Sequence, residues 1–183
     1  MSLVIVPLVF LVSVGTPAAA STACPSFEDA TEVSGQRSFK QVRTLDGVDQ
    51  PLISTGTVSI EPDRVVWTVT NPLNITTTIT EAGITQSVEG GPAEPIETGG
   101  GMNPMLTTGL LDVLGGNMED AESYFSIETM ASLERRWRVK LSPKGEQVSD
   151  YIAGMTVSGC ATVDEIRLDQ TNGDEMIVTF QDG

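Results

Sequence analysis

Arg64-Val65-Val66-Trp67-Thr68-Val69-Thr70 sets Val65, Trp67 and Val69 on one side of an extended chain and Val66, Thr68 and Thr70 on the other. The first side is large and apolar; the second is β-branched and half polar. A sheet with one greasy side and one wet side has this pattern. Upstream, Leu52 to Ile60 reads as a strand that turns back through Glu61-Pro62-Asp63, although its two faces differ only weakly. Phe39 to Leu45 is ambiguous by spacing. Phe39, Val42 and Leu45 would suit a helix, while the Val and Thr content and the turn at Asp46-Gly47 suit a strand.

Downstream the strand pattern continues. Ile75 to Glu81 and Ile84 to Val88 flank Ala82-Gly83 as a hairpin. Further strands are expected at Tyr124 to Glu128, Arg135 to Leu141, Ile152 to Val157, Ala161 to Asp169 and Met176 to Phe180, the last two joined at Asn172-Gly173. Basic residues Arg136, Arg138 and Lys140 alternate with Trp137, Val139 and Leu141, which implies one exposed and one buried face. Phe27, Ala30 and Val33 predict a short helix over 25–36, ended by Gly35. The stretch 89–101, EGGPAEPIETGGG, is too rich in Gly, Pro and acids for a packed element and is expected to be a mobile loop. It leads into a very apolar helix over 104–114, stopped by Gly115-Gly116, which is either core or a movable lid.

The chain has 183 residues, enough for one domain with a sizeable core. Leu3 to Val14 is apolar but too short to span a bilayer, and Ala18-Ala19-Ala20 follows it as a small-residue cleavage site. Residues 1–20 therefore read as an export signal, although no Lys or Arg precedes the apolar run, and 21–183 as a single domain bound for the periplasm. The signal carries no charged side chain, so the mature part keeps the whole formal charge of −15. Phosphate would be repelled by such a surface, which excludes nucleic acid as the expected partner. Cys24 and Cys160 form an even pair, read as a disulfide in an exported chain. The other reading makes Cys24 the acylated first residue of a lipoprotein.

Histidine is absent, which removes the commonest general base and the commonest metal ligand together. Two cysteines far apart do not form a zinc site, and Gly99-Gly100-Gly101 lacks the spacing and the lysine of a phosphate loop. No enzyme, metal or cofactor is expected.

Several short pieces recur in a common order: Phe39-Lys-Gln-Val-Arg43, Pro51-Leu-Ile-Ser-Thr-Gly56, Pro62 ahead of Trp67, Asn71-Pro72 and Gly83-Ile-Thr-Gln86. The apolar helix comes next, then Trp137-Arg-Val-Lys-Leu-Ser-Pro143 and Ile166-Arg-Leu-Asp-Gln-Thr-Asn-Gly-Asp174. Together they resemble the LolA-type periplasmic lipoprotein carriers, in particular their divergent LolA-like relatives. That resemblance implies a mostly β fold with short helices (α+β), an incomplete antiparallel β-barrel whose concave face is covered by helices. It also implies non-covalent binding of the acyl chains of a lipoprotein or other lipid, received from an inner-membrane loading complex and passed to an outer-membrane acceptor. The expected cavity residues are Phe39, Val65, Trp67, Val69, Met105, Leu106, Leu110 and Trp137. Glu61 departs from the pattern, since those carriers place a basic residue before the matching proline to hold the lid; Arg64 lies close enough to stand in. One site needs only a monomer. The rival readings are an outer-membrane acceptor anchored through acylated Cys24, and a structural β-protein with a filled core.

Overall fold

The computed structural model describes residues 24–27, 35–61, 63–80, 82–96, 112–113, 118–130 and 136–181. Among these, eleven strands form one antiparallel sheet: β1 Gly35–Thr44, β2 Leu52–Glu61, β3 Arg64–Asn71, β4 Ile75–Thr80, β5 Gly83–Val88, β6 Glu94–Pro95, β7 Phe125–Thr129, β8 Trp137–Pro143, β9 Ile152–Gly159, β10 Val163–Gln170 and β11 Glu175–Gln181. Their order across the sheet is β6-β5-β4-β3-β2-β1-β11-β10-β9-β8-β7. The run β1 to β6 is a simple meander, and β11 returns to pair with β1, so the two halves of the chain join at Phe39↔Phe180 and its neighbours. β6 and β7 remain edges, and the barrel is incomplete. A sheet this wide curls, because strand twist accumulates.

Register assigns the faces, since directly paired residues in an antiparallel ladder point the same way. Val65, Trp67 and Val69 pair with Ile60, Val58 and Gly56. Those pair with Gly35, Arg37 and Phe39, and Phe39 pairs with Phe180. The same face continues through Val178 and Ile166 to Val157, Val139 and Leu141, and ends on Ile127. The opposite face carries Thr57, Thr68, Thr76 and Thr85, with Lys40, Arg138 and Lys140. Val58, Val65, Phe125, Val139, Leu141 and Val157 are fully buried, so the greasy side is the inner one. In β2 the even positions face inward, which the weak alternation of Leu52 to Ile60 did not decide.

Several expectations are corrected. Gly35 and Gln36 begin β1 rather than ending a helix, because β1 is laddered on both sides and the pairing reaches Gly35↔Ile60. The helical spacing in Phe39 to Leu45 is overridden for the same reason: two ladders outweigh local preference. Within 89–101, Glu94–Pro95 adds to the sheet as an edge strand, where a residue without an N–H is tolerated. Of the 104–114 helix, Asp112 and Val113 are described; both are helical, and Val113 is fully buried in the core cluster. Helix Met118–Ala121 adds Ala121 to that cluster, so helical residues do cover the inner face.

Gly56 is required by close approach. Between Thr55 and Gly56 the ladder to β3 shifts register, and a Cβ on Gly56 would lie 1.9 Å from the Thr68 carbonyl oxygen. Backbone cannot yield as a flexible side chain can. Gly56→Ala is expected to cost about 3 kcal/mol and to lower the thermal midpoint by roughly 5–10 °C, as read by circular dichroism. An unchanged midpoint would refute the contact.

Candidate functional site

The inner face is the candidate site, and it has two aromatic centres. At the first, the Phe39 and Trp67 rings lie 4.1 Å apart between centroids, and Phe180 meets Trp67 edge-on at 6.2 Å. Phe39 and Trp67 stand on β1 and β3, on either side of β2, where Gly56 presents no side chain between Phe39 and Val69. Arg37 lies over the Phe180 ring at 5.2 Å and donates to the Val163 carbonyl. Asp164 sits 3.9 Å from Arg37 and 2.8 Å from Arg136. A buried cation at this end of the face is thus held by a carboxylate, a carbonyl and a ring.

The second centre is Trp137. Its indole N–H donates to the Cys160 carbonyl at 2.6 Å, and the Phe27 ring meets it edge-on at 5.4 Å. Cys24 is bonded to Cys160, so the disulfide pins the segment 24–27 across this end of the sheet. Trp137 and the Phe39 group share one contiguous core cluster. Several apolar residues of the inner face are only half-buried: Trp67, Val69, Ile127, Leu168 and Met176. They give the face apolar surface that packing among the described residues does not use up.

Of the expected cavity residues, Phe39, Val65, Trp67, Val69 and Trp137 all point to this face. Phe39, Trp67 and Val69 gather around β2, while Trp137 stands with Phe27 and the disulfide. Met105, Leu106 and Leu110 lie outside the described residues. Phe180, Arg37 and Met176 were not singled out in the sequence. The alternation of Met176, Val178 and Phe180 was legible, but nothing local says that β11 docks beside β1. Glu61 and Arg64 pair with each other, Arg64 donating through Nε at 2.9 Å and Nη2 at 3.1 Å. That fork holds the Arg64 pKa above its ordinary value, with desolvation opposing. Asp112, beside buried Val113, has its carboxyl pKa raised by desolvation and then by the Asp120 charge. Among the described residues no helix is long and apolar enough to cross a membrane, and no group of His, Cys, Asp and Glu could hold a metal.

The opposite end of the sheet is clasped by Asp174. Its carboxylate accepts the Asp46 backbone N–H at 3.0 Å and the Arg43 guanidinium at 3.0 Å, tying the β1–β2 turn to the β10–β11 turn. The Asp46 N–H first, and then Arg43, pull the Asp174 pKa below the usual carboxylate range, desolvation partly opposing them. A folded pKa below the unfolded value of about 3.9 means stability that is present above that pH and lost as pH falls through the folded value. Asp174→Asn should therefore lower the urea midpoint near neutrality and flatten its decline below about pH 4. A parallel pH profile for parent and variant would refute the clasp.

No family model matches the chain, and no curated protein does. Solved structures similar to it include a LolA superfamily protein from Nitrosomonas europaea, at 7% identity over 85% of this chain and 88% of that one, with a TM-score of 0.45. A DUF1329 family protein from Desulfovibrio piger is similar at 9% identity, 84% and 86% coverage and a TM-score of 0.46. An outer membrane lipoprotein-sorting protein domain from Vibrio parahaemolyticus is similar at 8% identity, 85% and 87% coverage and a TM-score of 0.42.

Proposed function

We propose that this protein is an exported carrier that holds the acyl chains of a lipoprotein or other lipid non-covalently on its inner face and moves them through the periplasm towards the outer membrane. One observation carries the reading: a single apolar face runs from β3 to β7, and its half-buried members Trp67, Val69, Ile127, Leu168 and Met176 interrupt an otherwise sealed core. Each methylene taken up there contributes roughly 0.8 kcal/mol, so a long acyl chain can offset the cost of association without any charged contact. Phe39, Val65, Trp67, Val69 and Trp137 would contact the chain, with Met105, Leu106 and Leu110 from the 104–114 stretch. The ligand would leave unaltered.

Cys24 bears on the rival acceptor reading. A sulfur bonded to Cys160 cannot also carry the thioether of a membrane anchor. The filled-core reading draws on the complete burial of Val58, Val139 and Leu141. Native purification of the protein from an envelope extract, with lipid extraction and mass spectrometry, separates them. A stoichiometric acylated species supports the carrier and identifies its cargo class. An empty protein that also fails to bind a fluorescent fatty acid leaves the filled core.

A further inference from the structure

Among the described residues, five of the seven large apolar side chains exposed to solvent cluster at one end of the sheet. Val48, Leu52, Ile53, Leu73 and Val88 are between 47% and 55% exposed. They lie in or next to three adjacent connections, the β1–β2 hairpin, the β3–β4 turn and the β5–β6 turn, because β2, β3, β4 and β5 are sequential neighbours. Register puts Leu52 and Val88 on the inner face, Leu52 opposite Arg43 and Val88 opposite Ile75. The apolar inner face therefore runs out to this end. The other end is occupied by the disulfide, Phe27 and the Arg37–Asp164–Arg136 group.

The three connections themselves carry one sign of charge, and the neighbouring Arg43, opposite Leu52, is paired with Asp174. The three connections contain Asp46, Asp49 and Glu89, and neither Lys nor Arg occurs in 45–53, 71–75 or 87–91. Glu89 is held in place by accepting the Asn74 N–H at 2.7 Å, and its own N–H returns to the Asn74 carbonyl at 2.7 Å. From this we infer that the end formed by Val48, Leu52, Ile53, Leu73 and Val88 is a docking surface for a protein partner that presents an apolar patch ringed by Lys and Arg. A second copy of the chain would bring carboxylates against carboxylates. An anionic lipid surface would meet the same repulsion. The inference rests on the carrier reading: an acyl chain sliding off the inner face at this end would pass directly to the docked partner.

The test uses the ligand-free protein, ¹⁵N-labelled, with an amphipathic Leu/Lys peptide as the partner probe and a Leu/Glu peptide of equal length as the control. Amide shifts confined to 45–53, 71–75 and 87–91, absent with the control peptide, are the expected result. Leu73→Asp and Val88→Asp, both at exposed positions, should each weaken the Leu/Lys peptide by at least about tenfold. Asp49→Lys combined with Glu89→Lys should weaken it similarly and reduce its salt dependence. Shifts spread over the whole acidic surface, or affinity unchanged in these variants, overturn the inference. So does flotation with phosphatidylcholine vesicles that depends on Leu52 and Leu73 without peptide binding, which identifies a lipid surface. Concentration-dependent dimerisation abolished by Leu73→Asp overturns it in favour of a second copy. A protein that binds the peptide but no fatty acid keeps the docking surface and loses the carrier reading; the reverse loses only the docking surface.

Discussion

Trp67→Glu is expected to abolish acyl-chain binding while Thr68→Glu, one position along the same strand, leaves it intact. Trp67 points to the inner face opposite Val58 and Thr77, with its ring 4.1 Å from Phe39 and 6.2 Å from Phe180 between centroids. A carboxylate there would be desolvated among rings and alkyl groups, at a cost of several kcal/mol unless it took up a proton. The same charge on Thr68 faces the wet side, where the pairing residues are Thr57 and Thr76. Displacement of a fluorescent fatty acid reads the binding, with at least a hundredfold loss expected for Trp67→Glu, about 2.8 kcal/mol at about 1.4 kcal/mol per tenfold. Because a buried charge also threatens the fold, Trp67→Leu keeps the comparison usable. It should remain folded by circular dichroism and bind roughly tenfold more weakly, through loss of ring contact. Parent-like binding in a folded Trp67→Glu protein would exclude this part of the face as the ligand site.

Opening the Cys24–Cys160 disulfide should produce the largest loss of stability. The bond closes a separation of 136 residues, and the loop-closure estimate for such a span is about 5 kcal/mol. Segment 24–27 is joined to the sheet beside this bond as well: Phe27 packs edge-on against Trp137, and Trp137 donates to the Cys160 carbonyl. Once the covalent tie is gone, the aromatic contact contributes only about 1 kcal/mol against the entropy of ordering the strap. The double variant Cys24→Ser/Cys160→Ser is therefore expected to melt roughly 10–15 °C lower. In a Trp67→Phe background its remaining indole emission, from Trp137, should shift to the red as Phe27 departs. A midpoint and emission maximum equal to the parent's would show that the strap is held by something other than the disulfide.

Much of the barrel was legible locally. Alternation in 64–70 and 137–141 identified both strands and their inner residues, because a strand's side chains alternate strictly and one side of this sheet is dry. Asp46-Gly47, Ala82-Gly83 and Asn172-Gly173 marked real reversals, with Gly47, Gly83 and Gly173 at positive φ, where a side chain is strained. The strand ran through Phe39 to Thr44 despite its helical spacing, since pairing on both sides contributes more than local preference. Phe27, expected in a short helix by its spacing, lies in a 3-10 turn and packs on Trp137 beside the disulfide, while Ala30 and Val33 lie outside the described residues.

What the sequence determined by itself is which side chains are inward and where the chain turns, for both follow from the period of the strand and the conformational demands of single residues. Only the tertiary structure decided which strands are neighbours. Placing β11 against β1 brings Phe180 to Phe39 and, through the adjoining turns, Asp174 to Arg43, 131 residues away. It also decided that the apolar residues in and beside three separate turns gather at one end of the sheet. The reason is that alternation specifies a face but no partner. Choosing the partner depends on closing long loops and burying the whole face together, and no local stretch carries that information.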